Sequence, residues 1–392
     1  MVLACSLDTM KIILKVGYAL RLLPYCWSKA NKNFEISPNK SRIVQWKFCM
    51  AVLFLLYCFS SIQFGIVILN GKEPISYLLL NAFSSALHTS GIFMILSTLS
   101  ATTITCELFS CTVAFEKTMK QLVGEYPSLS AKKSRFSIEV CCTVTTLACI
   151  LIVPPGFSLL SFIFPCHQFS SRSIAFFYPK SCSSHWFHLV SYLVEFSLTG
   201  IIAFGWGFQI VLLGIAIHDW NQSLEFLKST SKSALVTKYS AKRQWKLLLL
   251  YRKCQLFTKV LNLYSQPFIL PLIHCLGSAV TITCLYSTIM SDKNVPKILT
   301  LLSTTIMIIN VCFVLKVLDI ASKGLLCSKG FLRNFGKLPG YRDDIFRRYR
   351  KSLPPLHMNT GPFHVVDRGR APALIKFCLQ RTAFLVFKST AS

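Results

Sequence analysis

Side-chain chemistry needs nucleophiles, acids, bases or metal ligands brought together, and this chain offers few such sets. No HExxH, GxSxG or GxxxxGK[ST] pattern occurs, and the eight histidines are scattered. The seventeen cysteines contain no CxxC pair of the metal-binding kind. What remains is a set of isolated polar groups within long apolar stretches. Glu195 is the one acidic residue well inside such a stretch, and His88 lies inside another. A buried carboxylate must be paired, protonated or facing water. Glu195 therefore either bonds a neighbouring helix or touches a ligand, and His88 either packs or does the same. Lone polar groups in apolar walls suit a small-molecule pocket rather than a catalytic centre. We expect no enzyme activity, no cofactor and no metal.

The elements that must position these groups are helices. The chain is 392 residues long and 53% hydrophobic, beyond the range of ordinary soluble domains. Seven apolar stretches lie near 45–69, 76–100, 137–164, 186–217, 266–290, 297–320 and 371–388. A helix needs roughly 20 apolar residues to cross the hydrocarbon core, and six stretches meet that; the last only just does. The runs lack the period-two alternation of a membrane strand. The fold class expected is all-α integral membrane with seven transmembrane helices.

Orientation follows from charge. Of the 42 Lys and Arg residues, 33 fall in segments 1–47, 102–136, 218–264 and 321–370. Basic connections stay cytoplasmic, so the N-terminus is expected inside and the C-terminus outside, with 102–136 a cytoplasmic connection. The net charge of +27 is then the cytoplasmic loops facing anionic lipid. No zinc, helix-turn-helix or aromatic RNA motif accompanies it, which excludes nucleic acid as partner. Residues 10–26 mix Lys11, Lys15 and Arg21 with apolar residues at helical spacing, fitting an amphipathic helix on the inner membrane face. Leu247, Leu250, Leu256, Val260 and Leu261 recur at helical spacing within 242–264, so helices four and five should project past the bilayer as cytoplasmic extensions, the alternative being a helix lying on the inner membrane face. Pro154-Pro155-Gly156 should kink the third span. Lys316 and Asp319, three apart, fit an ion pair on one helix surface. Four units result: 1–44, a cytoplasmic N-terminal segment; 45–320, a six-helix ligand-binding bundle including loop 218–264; 321–370, a cytoplasmic anchor and assembly segment; and 371–392, the seventh helix and tail.

In this topology the outer halves of spans two, three, four and six carry Tyr77, Asn81, His88, Phe157, Phe162, Tyr192, Glu195 and Thr305, the candidate ligand-binding residues. Cys166 and Cys182 alone among the cysteines fall in a segment placed outside, where a disulfide would persist. They are either bridged or two separate thiols.

The passage from 342 onward carries a family resemblance. The basic run YRDDIFRRYR, then Leu353-Pro354-Pro355-Leu356, Gly361-Pro362-Phe363, and a short helix with Leu374, Ile375, Lys376 and Ala383 resembles the C-terminal end of insect-type gustatory and odorant receptors. Length, span number and orientation are similar as well. A gustatory Thr-Tyr and Gln-Phe spacing is missing from FCLQRTAFLVFK, so either branch stays open. The resemblance implies a ligand-gated, non-selective cation channel in the plasma membrane of sensory neurons. It implies a homo- or heterotetramer whose final helix lines the pore. It takes a small-molecule tastant or odorant as ligand and the lipid bilayer as its surroundings. Gln380 and Thr382 would then face the lumen, and Phe384 and Leu385 would form a constriction that opens by wetting. A G-protein-coupled receptor is disfavoured by the charge distribution and the missing Asp-Arg-Tyr and Asn-Pro-x-x-Tyr patterns. A secondary transporter remains the alternative, although repeated halves with paired broken helices are not evident.

Overall fold

The computed structural model describes residues 12–28, 33–70, 75–125, 154–155, 185–237, 241–290, 297–337, 344–361 and 364–391. A short helix α1 (12–19) precedes a hairpin of β1 (Tyr25–Ser28) and β2 (Asn33–Ile36). Tyr25 pairs with Ile36 and Ser28 with Asn33, antiparallel. Then come α2 (Lys40–Asn70), α3 (Ile75–Ser100), α4 (Thr102–Glu125), α5 (His185–Thr237), α6 (Ala241–Ser265), α7 (Ile269–Ile289), α8 (Lys297–Phe335) and α9 (Asp344–Lys351). A two-residue-per-strand hairpin, β3 (Asn359–Thr360) with β4 (His364–Val365), leads into α10 (Arg370–Ala391).

The chain folds as a helical membrane protein. Four helices among the described residues are long and apolar enough to cross a membrane: parts of α2, α5, α7 and α8. A fifth span results if the bent pair α3–α4 is counted as one. The expected third span lies outside the described residues apart from Pro154 and Pro155, which are helical. Pro154 is buried and packs toward Gly200 of α5. The expected seventh span is one continuous helix, α10, yet it falls short in apolarity because Lys376, Gln380, Arg381 and Lys388 interrupt it.

Residues 102–125 of the segment expected inside form helix α4, which turns from α3 by 73°. At the bend the Thr98 hydroxyl donates to the Met94 carbonyl at 2.7 Å and the Thr102 hydroxyl to the Thr98 carbonyl at 2.6 Å, bonds of a kind that favours local bending. Leu108, Phe109 and Phe115 on one face of α4 are buried, with Phe115 stacked on Phe257 at 5.2 Å.

α5 holds 53 residues without proline, about 80 Å at 1.5 Å per residue, well over twice the thickness of the hydrocarbon core. It therefore continues past the lipid, as does α8. Pro267 ends α6, since proline lacks the amide the next turn requires. Beyond the apolar spans, α5, α6 and α8 build a core like that of a soluble domain, with Trp220, Leu224, Leu247, Tyr251, Phe331 and Phe335 inside. Trp220 donates to Thr258 at 2.8 Å, and the Asn221 amide donates to the Ile320 carbonyl at 2.9 Å. Lys316 and Asp319 form no ion pair; the described ion pair on α8 is Lys323 with Glu225 of α5, at 2.9 Å.

Candidate functional site

Helices α2, α3 and α5 converge on Tyr57. Its hydroxyl donates to the Leu198 carbonyl at 3.0 Å, and the ring meets His88 edge-on at 5.9 Å between centroids. Gly91 makes this approach possible: a Cβ there would sit 2.9 Å from the Tyr57 ring and 3.1 Å from Ile202. Trp46, Met50, Leu53, Met94 and Leu198 complete an apolar cluster around Tyr57. Glu195 is buried one turn before Thr199, whose hydroxyl donates to the Glu195 carbonyl at 2.7 Å. Tyr192, half-buried, stacks on Phe196 at 6.3 Å.

Below this cluster lies a polar one. The Gln209 amide donates to the Thr98 hydroxyl at 2.9 Å, and Ser97 donates to the Gln209 side-chain oxygen at 3.2 Å. Trp206 donates to the Ser90 carbonyl at 3.1 Å. Polar groups shared between helices in this way fix helix positions where lipid offers no alternative partner.

Of the candidate ligand residues, His88, Tyr192 and Glu195 sit on facing parts of α3 and α5. Thr305 is exposed on α8, and its hydroxyl bonds the Leu301 carbonyl of its own helix at 2.9 Å. Tyr77 and Asn81 fall on the first turns of α3. Phe157, Phe162, Cys166 and Cys182 lie outside the described residues. Tyr57 was not singled out by sequence reasoning. The signal was a lone phenol in an otherwise apolar run, which must find an acceptor when buried. Among the described residues no group of three or more His, Cys, Asp or Glu could hold a metal ion.

The final helix has two unlike faces. Leu374, Cys378 and Thr382, at i, i+4 and i+8, are buried, and α7 is the helix that α10 packs on most. Thr382 bonds the Cys378 carbonyl at 2.9 Å. Gln380, Phe384 and Leu385 are exposed on the single chain, as are Phe377, Leu379 and Phe387. The Arg381 guanidinium lies over the Phe377 ring at 5.5 Å. Thr382 therefore faces α7, apart from the other three candidate pore residues.

The segment leading to α10 is pinned by a relay of hydrogen bonds. The Leu356 amide donates to the Ser328 hydroxyl at 2.7 Å, the Ser328 and Tyr251 hydroxyls bond at 2.7 Å, and Tyr251 lies 2.8 Å from the Pro354 carbonyl. With Tyr251 donating to that carbonyl, each hydroxyl donates once and accepts once. Asn262 adds two more, donating to the His357 carbonyl at 3.0 Å and accepting from the Asn359 amide at 3.1 Å. Burial pushes the Tyr251 phenol well above its ordinary range, so it stays a donor. The Gly361-Pro362-Phe363 stretch lies between β3 and β4, with Gly361 at φ 66°.

No protein-family model matches this chain, and no curated protein sequence does. Solved structures do. The insect olfactory receptor OR5 from Machilis hrabei, in complex with eugenol, superposes with a TM-score of 0.65 at 10% identity, over 97% of each chain. Another structure of that receptor gives 0.65 at 12% identity over 98% of each. At this identity the likeness establishes the fold, along the whole chain.

Proposed function

We propose that this chain is a chemosensory receptor, of gustatory or odorant type, that works as a ligand-gated non-selective cation channel. The observation that carries the reading is the end-to-end fold likeness to an olfactory receptor whose structure includes eugenol. The alternation of basic and apolar segments supports it, giving seven spans with the N-terminus inside the plasma membrane of a sensory neuron. A small ligand of the eugenol class binds in the outer half of the bundle, beside Tyr57, His88, Tyr192 and Glu195, walls that are apolar with a few polar groups. Four chains, identical or mixed, surround a pore lined by α10, with Gln380 on the lumen and Phe384 and Leu385 as the constriction. Ligand alters the α3–α5 packing, and α5 carries that change to the core that anchors α10.

Expression in a non-sensory cell, with patch-clamp recording against sugar, bitter and volatile panels, tests the reading. Ligand-evoked current that persists without any coupled solute gradient supports a channel. Current that follows a solute gradient shows a transporter instead. Accessibility of Lys246 or Arg348 from outside the cell would overturn the topology and the channel with it.

A further inference from the structure

A basic cleft opens where α2 begins. Tyr18, Arg21, Ser37, Arg42 and Trp46 are among the residues that line it, a small recess that opens to the surface. The Arg42 guanidinium lies over the Tyr18 ring at 4.3 Å, and the Tyr18 and Ser37 hydroxyls meet at 3.3 Å. Trp46 is held from behind by its bond to the Leu22 carbonyl, 3.2 Å. Two guanidinium groups and two hydroxyls thus share one recess, and among the described residues no carboxylate meets either guanidinium.

Arg21 occupies its place at a backbone cost. The Leu22 amide bonds the Gly17 carbonyl at 2.8 Å and the Arg21 amide bonds the Tyr18 carbonyl at 3.3 Å. This is the Schellman ending of a helix, in which the residue after the cap takes the left-handed conformation that glycine prefers. Here that residue is Arg21, at φ 59°, the only non-glycine with positive φ among the described residues. Glycine would fill this turn with less strain, and the residue that stands there instead puts its side chain on the cleft.

Two apolar surfaces flank the cleft. Ile12 and Val16 on α1 and Leu20 in the turn after it form an exposed stripe at i, i+4 and i+8, and Val44, Phe48 and Val52 form another on α2. Since α2 is a candidate membrane span beginning at Lys40, the cleft stands at the depth of lipid headgroups with apolar surfaces beside it.

We propose that this cleft is a binding site for the phosphate headgroup of an anionic phospholipid, held by Arg21 and Arg42 with the Tyr18 and Ser37 hydroxyls. Guanidinium groups match phosphate oxygens with paired donors and are less strongly hydrated than ammonium. The acyl chains lie along Leu20, Val44 and Phe48. The chain thereby takes a specific lipid, beyond the general attraction of its basic loops to the inner leaflet. The proposal rests on α2 being a span, not on gating. It is read without stimulus or current, so its failure leaves the receptor reading standing.

The test uses the full chain in detergent, titrated with phosphatidic acid, with phosphatidylcholine and with inorganic phosphate, and retained lipid is counted by native mass spectrometry. Phosphatidic acid should bind in preference to phosphatidylcholine. R21G and R42Q should each weaken it about five-fold, the scale of one arginine beside an anionic surface. K253A, an exposed lysine on α6, should leave it unchanged. Thermal midpoints separate binding from folding: R21G relieves the strained turn and should melt no lower than the native chain. Equal lipid retention by R21G and the native chain would overturn the proposal. So would displacement of the lipid by millimolar inorganic phosphate, which would mark a free-phosphate site.

Discussion

Replacing Tyr251 by phenylalanine removes one oxygen and breaks two hydrogen bonds, to Ser328 at 2.7 Å and to the Pro354 carbonyl at 2.8 Å. Tyr251 is fully buried and its ring stacks on Phe331 at 4.9 Å, so the phenylalanine keeps the packing and loses only the polar contacts. Each net bond is worth about 1 kcal/mol, and water can reach the Pro354 carbonyl because Pro354 is exposed, so Y251F should cost roughly 2 kcal/mol. S328A also breaks two bonds, to Tyr251 and to the Leu356 amide, and should cost a similar amount. The two variants share the central bond, so the double variant should cost less than the sum by about 1 kcal/mol. The readout is local: hydrogen exchange at the Leu356 amide in detergent should speed up in each single variant, with thermal midpoints falling in parallel. Strict additivity of the two substitutions would show that the hydroxyls do not act as one relay. Unchanged exchange at Leu356 would show that the relay does not hold the segment.

Other consequences follow from the same packing. G324A sets a Cβ against the Trp220 ring, which its bond to Thr258 prevents from moving, so it should cost about 3 kcal/mol or more; G205A meets only the Met94 thioether, a flexible chain that swings aside, and should cost about 1 kcal/mol, both read from thermal midpoints. The raised Tyr251 phenol gives a pH dependence of definite sign. A folded-state value above the ordinary 10.0 adds stability that is fully present below that value and lost as pH climbs through the raised one. Melting temperature should therefore hold steady across neutral pH and fall above about pH 10, with a shallower fall in Y251F. Cysteine placed at 380 or 384 should react with a water-soluble methanethiosulfonate in open channels and alter current, while cysteine at 382 or native Cys378 should stay protected; equal labelling of 380 and 382 would contradict the two-faced assignment of α10.

Much of this fold was legible because lipid leaves the chain few choices. Apolar stretches near 45–69 and 76–100 became helices at Lys40–Asn70 and Ile75–Ser100, and the leucine spacing after 242 became α6. The same rule concealed α4. Its apolar residues are mixed with Thr, Ser and Cys, and basic residues crowd its end, so composition read as a connection. Its packing against α5, α6 and the β2 hairpin strand makes it a buried helix. Arg21 was seen as a basic residue on an amphipathic helix; its left-handed backbone depends on the turn and on Leu23 packing over Gly17. The candidate site was partly readable. His88 and Glu195 stood out as polar exceptions, whereas Tyr57 was a lone phenol whose acceptor, the Leu198 carbonyl 141 positions away, no sequence pattern names. The Tyr251–Pro354 contact joins residues 103 positions apart, and no periodicity carries such a pairing.

The two faces of α10 set the requirement any mechanism here must meet. The inner face is ordinary: Leu374, Cys378 and Thr382 fit against α7. The outer face carries Lys376, Gln380 and Arg381 among Phe377, Phe384 and Phe387, and such a surface suits neither hydrocarbon nor bulk water. Protein and a water-filled lumen together would satisfy it, the aromatics against neighbouring copies and the polar groups toward the axis. What precedes α10 is held firmly: Leu353, Leu356, Met358 and Val366 are buried in the α5–α6–α8 core, and the relay fixes Pro354 and Leu356. α10 therefore has a rigid base at Val366 and freedom mainly through the turn at Asp367–Arg370 and its contact with α7. Since α5 runs unbroken from Glu195 to Trp220, the proposed gating would carry a shift of packing near Tyr57 to that base along one helix rather than through a chain of loops. Weakening the relay should then change how strongly ligand opens the channel while leaving ligand affinity near its native value. A matched loss of affinity in Y251F would instead put the anchor and the pocket in one cooperative unit.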